Sequence, residues 1–292
     1  MSKSPRVSVL TPIYNTNIGH LCECIESILN QTFTDFEFII LNDSPDNKQL
    51  KKIVSTYNDK RIRYYENERN IGISASRNRL LDLARGEYIA IFDHDDISVP
   101  DRLERQVEFL DTHPNVGVVS GWLRWFGDRN WTHTTPEYDI DIKIHLTHES
   151  YLLHTAAMIR KSVLNEHNIK YEEKYSPAED YRLWARMWPF TQFHNIQDVL
   201  VNYRWNGNNT STTSFEKMQR AAKAVRLEIC EEHPAFYQEF LNLHKDTQIN
   251  TVVKPKRSKN WRYRLFGVIP LLKRKKKWIL LFDFLPIVKI KD

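Results

Sequence analysis

An α/β fold built on a mostly parallel, Rossmann-like sheet flanked by helices is predicted for this 292-residue chain by three features of its first half. Short β-rich runs alternate with stretches of helical periodicity, the runs end in polar or acidic residues, and the connections are long enough to be crossover helices. Val7 to Tyr14 (VSVLTPIY) is the first strand, and Leu21 to Leu29 carries apolar residues at helical spacing. Phe36 to Asp43 (FEFIILND) is the second strand, followed by a helical stretch from Lys48 to Tyr57. Arg61 to Tyr65 is a short third strand, and Ser74 to Ala84 is a helix for which Gly86 marks the stop. An apolar run from Tyr88 to Phe92, a helix from Arg102 to Thr112 and a strand from Gly117 to Trp122 continue the pattern. Such alternation implies right-handed crossovers, with ligands bound beyond the carboxyl ends of the strands. Thr11, Tyr14, Asp43, Asp93 and Asp95 all fall at those ends.

The run from Tyr88 to Asp101 (YIAIFDHDDISVPD) is the most informative segment, because it passes from apolar residues into three carboxylates, Asp93, Asp95 and Asp96. Like charges a few ångströms apart raise one another's pKa unless a cation lies among them. One reading is a helix N-cap, yet Asp101 alone would satisfy that cap, with Pro100 beside it. The further acids point instead to a divalent metal site that faces a phosphate ligand. Asn70 to Asn78 (NIGISASRN) enters a helix through a glycine and two serines. That is ordinary capping chemistry, but free N–H groups at a helix start beside the Arg77 guanidinium also suit a diphosphate. Neither the Walker pattern nor the Gly-x-Gly-x-x-Gly fingerprint is present.

At 41% hydrophobic and 12% aromatic residues the chain can bury a sizeable core, which excludes a disordered protein. Cys22, Cys24 and Cys230 are too few and scattered for a disulfide framework and read as reduced thiols. No signal peptide precedes the first strand and no uncharged apolar run reaches the roughly 18 residues of a membrane span, so a cytoplasmic protein is expected. The net charge of +5 comes largely from the end of the chain, where Lys254, Lys256, Arg257 and the run Lys273 to Lys277 lie among Trp261, Trp278 and Phe282. A basic, aromatic-rich tail suits an anionic bilayer surface; a solvated tail or a nucleic-acid contact is the other reading.

From about Arg6 to Ser211 the chain resembles the GT-A fold, inverting, family 2 glycosyltransferases of bacterial surface-polysaccharide synthesis. The resemblance is carried by Val7 to Tyr14, Leu41-Asn-Asp-Ser44, Asn70 to Asn78 and Phe92-Asp-His-Asp-Asp96, in order and with family-like spacing. It implies a nucleotide-diphosphate-sugar donor, most simply a UDP-sugar, and Mn²⁺ or Mg²⁺. A hexose or N-acetylhexosamine would pass, with inversion at the anomeric carbon, to a hydroxyl of a lipopolysaccharide or capsule glycan. By that resemblance Thr11, Pro12, Tyr14 and Asp43 hold the nucleoside, with Asp43 accepting from the base. Arg77 lies near the base or diphosphate, Asp93 near the ribose, His94 also on the nucleotide-sugar side, and Asp95 on the metal.

The second half resembles the family's acceptor side. Leu152 to Arg160 matches a strand that opens with a histidine, His154, which also reads as a hydrogen-bonded structural residue. Ser176 to Trp184 places Glu179 and Asp180 at a helix start; composition alone gives a cap, whereas the family places its catalytic base at Asp180. One base suffices, because a diphosphate leaves with metal support where a glycosidase needs a second carboxylic acid. Where relatives commonly have Tyr-Arg-x-His, this chain has Tyr203-Arg-Trp-Asn206, and an amide oxygen is a poorer ligand than imidazole for softer metals. Trp122, His154, Glu179, Arg204 and Asn206 are the candidate acceptor or flap residues. The expected organisation is a catalytic domain over 1–215, with a nucleotide-binding half (1–112) and an acceptor half (113–215), then a helical extension over 216–292 with a membrane-associating tail. The expected location is the inner face of the bacterial inner membrane, without a nucleic-acid partner. A nucleotide-sugar-binding regulator without catalysis, or a membrane- or nucleic-acid-binding module built on the tail, are the readings from other classes.

Overall fold

The computed structural model describes residues 4–207 and 209–244, together with the backbone of 272–274 and 277–279. The first half follows the predicted order: β1 (Val7–Ile13), α1 (Ile18–Leu29), β2 (Phe36–Asn42), α2 (Lys48–Val54), β3 (Ile62–Glu66), α3 (Ile73–Leu83) and β4 (Tyr88–Ile91). Then come β5 (Ile97–Ser98), α4 (Arg102–Thr112), β6 (Val116–Gly127), β7 (Trp131–His133), α5 (Asp139–Leu146), β8 (Met158–Arg160), α6 (Lys161–Glu166), α7 (Glu179–Met187) and β9 (Gln192–Trp205). Three helices follow, α8 (Thr210–Thr213), α9 (Phe215–Glu232) and α10 (Pro234–Leu243). Within the tail, β10 (Leu272–Arg274) and β11 (Lys277–Ile279) pair antiparallel. The remainder of the basic tail from Lys254 onward lies outside the described residues.

Among the described residues the main sheet has nine strands, ordered β3-β2-β1-β4-β8-β6-β9-β5 with β7 paired to β6. The β3-β2-β1-β4 half is parallel, as predicted. The other half is mixed: β8 runs antiparallel to both β4 and β6, β6 and β9 are parallel, and β5 closes the edge antiparallel to β9. Every residue of β1 and β2 is buried, as expected for strands covered on both faces. Alternate side chains feed two apolar layers. Val9, Phe38 and Ile40 join α1 and α4 on one side, while Leu10, Ile39 and Leu41 join α3, α5 and α7 on the other. Helix α9 adds Val225 and Ile229 to the second layer.

Three local expectations are corrected. Gly86 is no left-handed helix stop; a Cβ there would lie 2.5 Å from Ser8 N, and the residue is a close approach to β1, its N–H donating to Ser8 Oγ at 2.8 Å. Leu152 to Arg160 is not one strand, since His154–Ala156 forms a 3₁₀ turn before β8. Asp101 stands at the N-cap of α4, but its side chain makes no capping bond and its carboxylate lies 3.7 Å from Arg105. The cap is supplied from outside the helix. Buried Gln31 accepts from Leu103 N at 3.0 Å through Oε1 and donates from Nε2 to Val99 O at 2.6 Å and Ser27 O at 3.0 Å.

Helix α4 then braces the end of β4. Arg102 is fully buried, donates from Nη2 to Ile91 O at 2.8 Å and from Nε to Gln106 Oε1 at 3.0 Å, and lies over the Phe92 ring. Gln106 donates in turn to Ala156 O at 2.8 Å and Val119 O at 3.1 Å. Burial pushes the Arg102 pKa down to about 9. Gln31→Ala should therefore cost about 2–3 kcal/mol in urea unfolding, since it strands buried backbone groups. Asp101→Ala should cost less than about 0.5 kcal/mol, as expected for an exposed ion pair without a cap.

Candidate active site

The site is built around residues 92–96, at the carboxyl end of β4. Thr11 Oγ1 donates to Phe92 O at 2.9 Å and fastens the loop to β1. Asp93 N donates to Thr155 Oγ1 at 3.2 Å, and that hydroxyl donates to Asp96 Oδ2 at 2.8 Å. Arg204 N donates to Asp96 Oδ1 at 2.9 Å. Asp96 is fully buried, so one of the three clustered acids is a staple joining the acidic loop to β9 and the 3₁₀ turn, and not an outward ligand. Burial, reinforced by Asp95 and Asp93, pushes its carboxyl well above the usual range.

Asp95 is raised for the same reasons, burial first and Asp93 third, with His94 opposing in between; His94 Nδ1 lies 3.8 Å from Asp95 Oδ1. Arg204 donates from Nε to Asp95 O at 2.9 Å, from Nη2 to Glu23 on α1, and lies over the Phe126 ring at 4.5 Å. His20, near the start of α1, senses Arg204, Asp95, Glu23 and His94; burial, helped by Arg204, lowers its pKa. Sequence reasoning missed His20, Glu23 and Thr155. Two lie in an amphipathic helix and one in a turn, and no motif marks them.

A second network faces the first across Asp93. Arg77 on α3 donates from Nη1 to Glu179 Oε1 at 2.5 Å and from Nη2 to Asp93 Oδ1 at 3.4 Å. Its guanidinium lies 5.6 Å from the Tyr171 ring centroid, and the Tyr171 hydroxyl is 3.0 Å from His154 Nε2. His154 is buried and held well below its ordinary pKa, by burial and then by Arg77, and its hydrogen bond to Tyr171 fits the structural reading. Asp180 follows Glu179 in the first turn of α7 and is partly buried. Its carboxyl is pushed up to about 6 by burial and then by Glu179, with Arg77 opposing.

Asp43 sits beyond β2 and is buried. It accepts from Asn67 Nδ2 at 2.6 Å, Ile71 N at 2.9 Å and Gly72 N at 3.0 Å. The N–H groups ahead of α3 thus bind the protein's own carboxylate where the sequence suggested a diphosphate. Gly72, at φ 83°, is the N-cap and requires a residue that adopts the left-handed region. The two serines do not cap: Ser76 Oγ accepts from Asn67 Nδ2 at 3.1 Å, and Ser74 is buried. Pro12 is buried in β1, while Tyr14 at its end is 54% exposed and open to stacking. Trp122 lies on β6 opposite Val199 at a bulge, its indole N–H buried without a hydrogen-bond partner. Asn206 lies in the turn after β9, its backbone N–H donating to Asn209 Oδ1 at 3.1 Å.

Among the described residues no group of three or more His, Cys, Asp or Glu side chains converges to hold a metal ion. The donors present fit a cation shared with a ligand: Asp95 is desolvated and crowded by Asp93, a strain that positive charge relieves, and diphosphate oxygens would complete an all-oxygen shell.

The chain belongs to Glycosyl transferase family 2, which it matches over residues 8–167, a stretch that ends before α7. It is 39% identical over 223 residues to an uncharacterized glycosyltransferase of Methanocaldococcus jannaschii, covering 74% of this chain and 76% of that one. In structure it is similar to S. aureus TarS in complex with UDP-GlcNAc, with TM-score 0.66 and 20% identity, over 82% of this chain and 73% of that one. It is also similar to the mannosyltransferase PcManGT from Pyrobaculum calidifontis in complex with GDP-Man and Mn²⁺, with TM-score 0.56 and 16% identity, over 84% and 76%. These likenesses establish the GT-A type of fold.

Proposed function

We propose that the protein is a metal-dependent, inverting glycosyltransferase that moves a hexose or N-acetylhexosamine from a nucleotide-diphosphate sugar, with UDP-sugars the first candidates, to a hydroxyl of a lipopolysaccharide or capsule glycan. The observation that carries the proposal is the link through Arg77 between Glu179, beside the base candidate Asp180, and Asp93 in the acidic loop. The nucleotide sugars held by the two structural relatives, and the Mn²⁺ held by one, support the donor class and the cofactor.

In this mechanism the acceptor oxygen attacks the anomeric carbon from the face opposite the diphosphate. The carbon–oxygen bond to the diphosphate breaks, the nucleoside diphosphate leaves, and Asp180 takes the acceptor proton. Asp95 with the diphosphate oxygens would hold Mn²⁺ or Mg²⁺, which supplies positive charge for the leaving group. Asp93 and Arg77 position the donor, Tyr14 lines the nucleoside with buried Thr11 and Pro12 supporting it from β1, and Asp43 shapes that pocket through residues 67–72. Arg204 ties β9 and the turn at Asn206 to the acidic loop. On this reading residues 1–215 form the catalytic domain and the basic tail holds the enzyme at an anionic membrane surface. A nucleotide-sugar-binding regulator would need the donor side and not Asp180.

Asp180→Asn should lower kcat by about 10²–10⁴-fold with donor affinity nearly unchanged, read from steady-state transfer and donor calorimetry; more than about a third of wild-type kcat would remove Asp180 from this role. The base must be ionised, and its pKa lies at about 6, so kcat/KM should rise as pH increases through about 6 and then level off. Asp95→Ala should abolish metal-dependent UDP binding in calorimetry, and UDP binding by wild type that is unaffected by chelator would count against a metal there. Deletion from Lys254 should release the protein from anionic liposomes while preserving donor hydrolysis, because each basic residue near the surface contributes about 1 kcal/mol; equal binding to neutral lipid would argue against the tail's role.

A further inference from the structure

Arg77 joins three elements that are far apart in sequence: α3, which carries it, Asp93 at the end of β4, and Glu179 at the start of α7. The pair it makes with Glu179 is buried, with side chains 13% and 6% exposed. Burying such a pair contributes little net stability, since desolvation offsets the attraction. This pair is also incompletely satisfied, because Glu179 Oε2 and Arg77 Nε are buried without hydrogen-bond partners. Stability alone does not account for it. Its position does, since Glu179 adjoins Asp180 and Arg77 acts on the same carboxyl with the opposite sign.

We propose that Arg77 and Glu179 are a positioning pair for Asp180: the guanidinium fixes the first turn of α7 against Asp93, and the balance between the Glu179 carboxylate and the Arg77 guanidinium sets the pH at which Asp180 accepts the acceptor proton. The inference rests on the reading of Asp180 as the base. The groups that act on Asp180 are Glu179 on its own helix, Arg77 from α3, Asp93 from the acidic loop and the Tyr181 backbone N–H, which donates to Asp180 Oδ1 at 2.7 Å. Tyr171 and neutral His154 line the other side of Arg77. A neighbouring carboxylate disfavours ionisation and a guanidinium favours it. The two substitutions that remove these charges must therefore move Asp180 in opposite directions, and a pair that positions the base must move the acidic limb of kcat/KM with it.

The test is a ¹³C NMR titration of the full chain labelled at aspartate Cγ, with the Asp180 signal assigned by its loss in Asp180→Asn; it needs no substrate. The wild-type midpoint should lie at about 6. Glu179→Gln should lower it by about one unit or more, Arg77→Gln should raise it by a similar amount, and Arg77→Lys, which keeps the charge, should leave it within about half a unit. The acidic limb of kcat/KM for nucleotide-sugar turnover should move with the midpoint. An unchanged midpoint in Glu179→Gln overturns the proposal even where Asp180→Asn is inactive, and this near-isosteric variant decides alone if Arg77→Gln fails to fold. Wild-type transfer by Asp180→Asn instead overturns the base reading, and the pair's catalytic role with it.

Discussion

Crowding of carboxylates at the end of β4 is the constraint on which the rest of this structure depends. Asp93, Asp95 and Asp96 occupy four consecutive positions with His94, and Glu179 is brought up from α7. Unit charges about 5 Å apart interact by several kcal/mol at the effective dielectric of a protein surface, so each acid needs a separate solution. Asp96 is turned inward and given a hydroxyl and a backbone N–H. Asp93 and Glu179 share Arg77. Asp95 receives the least from the protein, with His94 3.8 Å away and Arg204 bonded to its backbone oxygen instead of its carboxylate. That unequal sharing leaves Asp95 as the carboxylate with most to gain from a cation.

The supporting fold serves the same loop. Arg102 and Gln106 hold the backbone of β4 and the 3₁₀ turn from beneath, Gln31 orients α4, and Arg204 locks β9 onto the loop from the side. These are hydrogen bonds between buried polar side chains and backbone groups, which fix geometry more than they add stability. The loop that carries the acids is therefore held from beneath and from the side by the protein itself.

The parallel half of the sheet was legible in the sequence, because Val7 to Ile13 and Phe36 to Asn42 are β-rich, largely apolar runs with helical spacing between them. The mixed half was not. Strand β8 has only three residues and lies between β4 and β6, a pairing set by tertiary context that no local periodicity announces. At the site, residue types identified the acids but not their partners. Asp96 was grouped with Asp93 and Asp95 because spacing cannot tell an inward side chain from an outward one. The cap of α4 was assigned to Asp101 because Gln31 lies 72 residues earlier than its target Leu103 and reaches it only through the fold. His154 could be read either way until Tyr171 was placed beside it.

The account treats the acidic loop and the Glu179-Asp180 pair as two halves of one transfer site. Its most direct test is turnover of nucleotide-sugars by the purified chain with Mn²⁺ or Mg²⁺, scored by released nucleoside diphosphate across a panel of UDP-, GDP- and dTDP-sugars with and without chelator. The account predicts release from at least one donor, lost on chelation. Absence of both binding and release for every donor in either metal would contradict it.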